Sequence, residues 1–169
     1  MKKLLYIYNP AAGRRAAQSS LSDILEIFAR QGYEITVRPT QERGDATAAV
    51  IQSGAEHDRV VCCGGDGTLN ETVQGLLALP AERRPVLGYI PAGTTNDFSR
   101  TLELPKTLAE LAEVAGEGLL RPIDVGTPRA VSLLTWPPSG CSPTWPTPPP
   151  RPTRTCWVIL PIYWRARAG

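Results

Sequence analysis

Apolar positions along the first 128 residues alternate between two periods. "KLLYIYNP" (3–10) is a continuous apolar run stopped by Asn-Pro, as in a strand buried on both faces. "SSLSDILEIFARQG" then puts Leu21, Ile24, Leu25 and Phe28 at helical spacing, with Gly32 at its end. The same unit recurs: "YEITVRPT" with "GDATAAVIQSG", "DRVVCCGG" with "TLNETVQGLLAL", and "PVLGYIPAG" with "LAELAEVAGEG" after a short helical turn; "LRPIDVG" reads as a fifth strand. Strands alternating with helices through short connections predict an α/β fold, a three-layer sandwich whose mostly parallel sheet is covered on both faces. Ligands of such sheets bind beyond the carboxyl ends of the strands. The glycine-rich stretches fall there: "NPAAG" after the first strand, "GGDGT" after the third, "PAGTTND" after the fourth.

The alternation ends at Pro128, and composition changes with it. Residues 1–128 hold all sixteen acidic and thirteen of the eighteen basic residues, whereas 129–169 hold five arginines, no Asp or Glu, all four tryptophans and nine of the seventeen prolines. Two segments are therefore expected: an orderly domain over 1–128 and an irregular, disordered tail over 129–169, where proline interrupts both helices and central strands. Neither segment has the basic excess of a nucleic-acid partner. The chain lacks an apolar run of the roughly eighteen residues that a membrane span needs, and "MKKLLYIYNP" is too short for a secretion signal, which points to a cytoplasmic protein. Cys62 and Cys63 are then reduced, buried strand residues, while Cys141 and Cys156 lack zinc-site spacing. His57, between Glu56 and Asp58, reads as a surface residue.

Gly64, Gly65 and Gly67 leave no Cβ in the way, so consecutive amides can turn toward one anion, and a helix starting near Thr68 adds its positive end. Asp66 among them would repel a bare phosphate. It suits a nucleotide accompanied by magnesium, or a ribose hydroxyl. "PAGTTNDFSR" (91–100) adds a second glycine turn with Asn96 and Asp97 at a helix start, where capping is the ordinary role. No G-x-x-x-x-G-K-[ST] and no G-x-G-x-x-G occurs, which removes support from a P-loop enzyme and from an ordinary dinucleotide dehydrogenase.

"NPAAG", "GGDGTLNE" and "PAGTTNDFSR", in this order and spacing, resemble the bacterial lipid kinases with the diacylglycerol kinase catalytic domain, from Met1 to about Gly126. The resemblance implies an ATP-dependent kinase that transfers the γ-phosphate to a lipid hydroxyl, with ATP and Mg2+ between these loops and diacylglycerol as a representative acceptor at the membrane surface. Carried over by position, nucleotide contacts would come from Asn9, Pro10, Ala11, Ala12, Gly13 and Thr40, from Gly64, Gly65, Asp66, Gly67, Thr68, Leu69, Asn70 and Glu71, and from Thr94. Asn96 and Asp97 would serve the neighbouring phosphate or the acceptor side. The resemblance also implies peripheral membrane association, homodimers in full-length members, and a following β-rich domain that carries the catalytic acid-base residue. Alternatives are a non-catalytic nucleotide-binding fragment and an NAD kinase, which shares the Gly-Gly-Asp-Gly core but not the Leu-Asn-Glu that follows it here.

The tail departs from the family, and its codons suggest why. Trp is TGG and Pro begins CC, so Trp136-Pro137 and Trp145-Pro146, read one base earlier, each contain GCC for alanine; Cys156-Trp157 and Tyr163-Trp164 give leucine, and Trp157-Val158 gives glycine. With permitted codons, residues 134–150 can spell Y-V-A-A-F-G-V-F-T-D-V-A-Y-T-T-P, close to what the family shows there. The expectation is a base lost near the codons for residues 127–134, making 129–169 out-of-frame translation. "TPPPRP" as a polyproline ligand and Trp with Arg as a membrane-interface anchor are the functional alternatives.

Overall fold

A computed structural model describes residues 1–12, 20–94, 96, 98–99, 104–126 and 153–160. Its elements run β1 (Lys2–Tyr8), α1 (Leu21–Arg30), β2 (Tyr33–Pro39), α2 (Asp45–Ser53), β3 (Arg59–Gly64), α3 (Asp66–Ala78), β4 (Val86–Pro91), α4 (Leu108–Glu117), β5 (Leu119–Gly126) and β6 (Thr153–Leu160), with single 3-10 turns at Gly54–Glu56 and Ala81–Arg83. The strand order is β2-β1-β3-β4-β6-β5. β1 pairs in parallel with β2 and β3, and β3 with β4.

Side-chain alternation along the central strands divides the core in two. Leu5 and Ile7 of β1, Val60 and Cys62 of β3, and Leu87 and Tyr89 of β4 face α2 and α3, against Ala46, Val50, Leu69, Leu76 and Leu77. Leu4 and Tyr6, Val61 and Cys63, and Ile90 face the other way, against Ile24, Ile27 and Phe28 of α1 and Leu111, Ala112 and Ala115 of α4. A strand buried on both faces reads as an unbroken apolar run, which is why "LLYI" and "VVCC" do. The expected sandwich is thus the observed one. Each buried Leu, Ile or Phe side chain contributes about 1.5–3 kcal/mol relative to exposure.

Helix ends follow local chemistry. Thr107 starts α4 with a reciprocal cap: its Oγ1 accepts the Glu110 amide at 3.3 Å and donates to Glu110 Oε2 at 2.7 Å. The last carbonyls of α3 are met by Arg84, whose Nε donates to Leu76 at 2.9 Å and Leu79 at 3.2 Å. Gly75 lets α3 approach α2 closely, because a Cβ there would lie 2.7 Å from Val50 Cβ and 3.0 Å from the Thr47 carbonyl.

The far edge of the sheet differs from the simple repeat. The fifth strand of the pattern, β5, runs antiparallel to its neighbour β6, and β6 lies between it and β4. Pro122 of β5 cannot donate to a ladder, which suits the edge position of that strand. β6 is the part of the 129–169 tail among the described residues; the pattern marked no element there, although "TRTCWVIL" carries the β-branched and aromatic residues that favour strands. Cys141 lies outside the described residues.

Candidate functional site

The carboxyl ends of β1, β2, β3 and β4 are tied into one rim. The Asn9 amide donates to the Cys63 carbonyl at 3.0 Å, the Thr40 amide to Tyr8 at 2.9 Å, and the Ala92 amide to Gly64 at 2.9 Å. These bonds continue the ladders past the strands, so the loops that follow start from fixed points. Asn9 then turns the chain locally, its Oδ1 accepting the Ala11 amide at 2.9 Å. The β2–α2 loop is drawn tight by Asp45, whose carboxylate accepts the amides of Gln41 at 2.7 Å and Glu42 at 2.9 Å. Those two bonds to the ionised form hold the Asp45 carboxyl below its ordinary range. Gly44 beside it has φ +94°, a left-handed conformation that glycine adopts without strain.

Between these loops lies a cleft of about 950 Å³. It is lined by Asn9, Pro10, Ala11 and Ala12 after β1, by Thr40, Gln41, Glu42, Arg43, Gly44 and Thr47 after β2, by Gly65, Gly67, Thr68, Asn70, Glu71 and Gln74 along α3, and by Gly93 and Thr94 after β4. Two helix N-termini, those of α2 and α3, open on it, and their first amides have no intrahelical partner. Such ends favour anions. Thr47 Oγ1 donates to the Glu71 carbonyl at 2.8 Å and locks the two helices together beside the cleft. Among the described residues, the charged side chains on the lining are Arg43, Glu42 and Glu71, one positive against two negative.

Eleven of the residues named from the sequence line this cleft: Asn9, Pro10, Ala11, Ala12, Thr40, Gly65, Gly67, Thr68, Asn70, Glu71 and Thr94. Four others are described but do not line it. Gly64 is the buried last residue of β3, where a Cβ would lie 2.7 Å from the Thr68 side chain. Leu69 is a core residue. Asn96 closes its own turn, accepting the Gly93 amide at 2.9 Å and donating to the Gly93 carbonyl at 2.7 Å. Asp66 is half-buried at the first position of α3, and its charge is felt by the phenol of Tyr89, which burial above all raises beyond its usual range. Gly13 and Asp97 lie outside the described residues.

The pattern reading missed Gln41, Glu42, Arg43, Gly44 and Thr47, as well as Gln74 and Gly93. The first four were signalled: "TQERGD" leaves the same strand edge as the glycine motifs and ends in a Gly-Asp helix start, with Thr47 in the first turn beyond it. Gln74 was signalled only by helical spacing, one turn beyond Asn70 on α3.

Other reactive side chains stand apart from the cleft. Cys62 and Cys63 are buried and unpaired, and burial pushes their thiols up to about 12 and about 11, so they remain inert thiols as expected. His57 sits at the opposite edge of the sheet, with Nδ1 2.7 Å from the Ser53 carbonyl and Nε2 3.2 Å from Thr36 Oγ1. Among the described residues no cluster of three His, Cys, Asp or Glu gathers that could hold a metal, and no helix is long and apolar enough to cross a membrane.

Comparison with known proteins points one way. The sequence model of the family described as Diacylglycerol kinase catalytic domain matches residues 3–128. The chain is 43% identical over 128 residues to a diacylglycerol kinase of Bacillus subtilis (strain 168), an alignment covering 75% of this chain and 42% of that protein. A diacylglycerol kinase of Staphylococcus saprophyticus is 38% identical over 126 residues, covering 74% and 41%. The crystal structure of a diacylglycerol kinase from Bacillus anthracis str. Sterne superposes with a TM-score of 0.66 at 38% identity, covering 75% of this chain and 43% of that one. The chain therefore spans about two fifths of the length of these relatives.

Proposed function

The chain belongs to the diacylglycerol kinase catalytic domain family, and we propose that it is the ATP-binding part of a lipid kinase that transfers the γ-phosphate of ATP to a lipid hydroxyl such as that of diacylglycerol. The observation that carries this reading is the convergence of Asn9–Ala12, of Gly65, Gly67, Thr68, Asn70 and Glu71, and of Thr94 on one cleft at the carboxyl edge of a parallel sheet. Phosphoryl transfer depends on positioning and on balancing charge rather than on covalent chemistry by the protein. Here the α3 N-terminus and the Gly65–Gly67 amides would receive phosphate oxygens, and Arg43 would neutralise part of their charge. The remaining charge calls for a cation that travels with the nucleotide. Magnesium is a cation of that kind, commonly held by one or two carboxylates plus substrate phosphates; Glu71 on the lining would supply one carboxylate, and Asp66, at the first position of α3 between Gly65 and Gly67, a second. The acid-base residue and the lipid pocket we assign to chain beyond residue 128, with action at the membrane surface, from the cytoplasmic side, in a full-length homodimer.

Binding of ATP with and without magnesium to the 169-residue chain, and to its Asp66→Ala variant, tests the nucleotide reading. Magnesium-dependent ATP binding that weakens in the variant is expected. Unchanged affinity would remove Asp66 from the site. For the isolated chain we expect no lipid phosphorylation, because a positioned acceptor and a proton acceptor are required as well as ATP. Robust phosphorylation of diacylglycerol vesicles would overturn that expectation.

A second reading, a non-catalytic nucleotide-binding fragment, rests on the same cleft. We further propose that residues 129–169 are out-of-frame translation. Resequencing the gene from the Asp124 codon onward decides between the two: an additional base restores the longer kinase, and its absence leaves the fragment.

A further inference from the structure

We propose that Asn96 is a positioning residue for phosphate binding, clamping the Gly93 turn against Gly65 and thereby fixing the amides of the β3–α3 turn; this rests on the nucleotide reading above. Asn96 is the non-glycine residue with positive φ among the described residues, at +46°. Such a backbone persists only where its surroundings over-determine it. Here they do so from three sides. The side-chain amide grips both polar groups of one residue, Oδ1 accepting the Gly93 N–H at 2.9 Å and Nδ2 donating to the Gly93 carbonyl at 2.7 Å. The Asn96 carbonyl accepts the Ser99 hydroxyl at 2.7 Å and the Ser99 amide at 3.1 Å. Between them Phe98 anchors the segment on Tyr89, ring centroids 6.2 Å apart.

Gly93 passes the constraint on. A Cβ at Gly93 would lie 2.6 Å from the Gly65 Cα, and one at Gly65 would lie 3.4 Å from the Gly93 Cα, so the two backbones touch with nothing between them. The Ala92 amide bonded to the Gly64 carbonyl at 2.9 Å holds the preceding step. An Asn at a helix start ordinarily caps the amides that follow it. Both side-chain bonds of Asn96 instead run backward to Gly93, which has no helix to cap. The clasp therefore sets where Gly65 and its neighbours present their N–H groups, without Asn96 itself lining the cleft.

The test uses Asn96→Gly, which keeps the left-handed backbone free of strain while removing the clasp, and Asn96→Asp, which keeps the acceptor for the Gly93 amide. The probes are magnesium-ATP and adenosine, measured by calorimetry on the 169-residue chain, with hydrogen exchange over residues 62–69. The expected result for Asn96→Gly is ATP affinity lower by about tenfold, adenosine affinity unchanged, and exchange at Gly65–Gly67 faster by about tenfold, as for a lost hydrogen bond. Asn96→Asp should recover part of each. Equal weakening of ATP and adenosine, or unchanged exchange at Gly65–Gly67, overturns the proposal. If the parent chain binds neither probe, the nucleotide reading fails, and the exchange comparison alone decides the clasp.

Discussion

Two helix layers cover the same parallel strands, and only one of them builds the cleft. α2 and α3 begin at the carboxyl edge of the sheet, contribute Gly44, Thr47 and five α3 residues to its lining, and are joined to each other by the Thr47–Glu71 bond and the close approach at Gly75. α1 and α4 cover the more aromatic core, where Phe28 of α1 joins Tyr6 of β1 and Tyr33 of β2, and contribute nothing to the lining. The difference teaches that stability and binding geometry are separable here. Both layers make close contacts, α4 at Gly88 of β4 and α3 with α2 at Gly75, but the α2–α3 contact is the one that stands beside the cleft.

The largest effect expected on this division is from Phe28→Ala. Phe28 is fully buried against Tyr6, ring centroids 5.9 Å apart. Removing it should cost about 3–5 kcal/mol of folding stability. Nucleotide affinity, measured on the folded fraction, should stay unchanged. A parallel loss of affinity at temperatures well below unfolding would show that the two layers are not independent.

Gly75→Ala makes the converse test. The added methyl would meet Val50 and the Thr47 carbonyl, and overpacking of this kind costs about 1–3 kcal/mol. Because relief requires α2 to move away from α3, ATP affinity should fall along with the melting temperature. Thr47→Val, nearly isosteric, removes only the bond to Glu71 and should cost about 1 kcal/mol, again with weaker ATP binding. Stability lost without any change in affinity in both variants would sink the argument that this interface sets the cleft.

The same division explains what could be read from the chain. Both cores were legible, because 3.6-residue patterns mark the helices, and short runs such as "LLYI" and "VVCC", stopped by Asn-Pro or Gly-Gly and alternating with those helices, read as buried strands. The glycine motifs were legible because glycine next to a strand end marks a place where backbone must come close. Gln74 was barely so, since an exposed polar residue on a helix has little pattern of its own and gains meaning only when the fold places it beside others. Asn96 shows a further limit: the residue type suggested a cap or a ligand contact, while its two bonds to Gly93 depend on a backbone angle that sequence does not display. β6 was hidden for a different reason, since a proline-rich surround outweighed a short run with strand propensity.

The smallest expected effect concerns the loop that the two sides of the cleft share. Asp45 is half-buried, and its carboxylate accepts the amides of Gln41 and Glu42. These bonds lower its folded-state pKa from the ordinary value of 3.8. A group whose pKa is depressed on folding contributes its stabilisation at pH above the unfolded value, and loses it as pH falls through the folded one. The β2–α2 loop should therefore be fully tied at neutral pH and loosen only in acid, below the ordinary Asp range. Amide exchange at Gln41 and Glu42, corrected for intrinsic rates, should accelerate there in the parent chain. In Asp45→Asn the carboxamide oxygen still accepts a bond but has no charge to lose, so that acid-dependent step should disappear while the rest of the chain keeps its profile. If the step persists in Asp45→Asn, another group holds the loop, and Arg43 and Gln41 owe their place on the cleft to something other than Asp45.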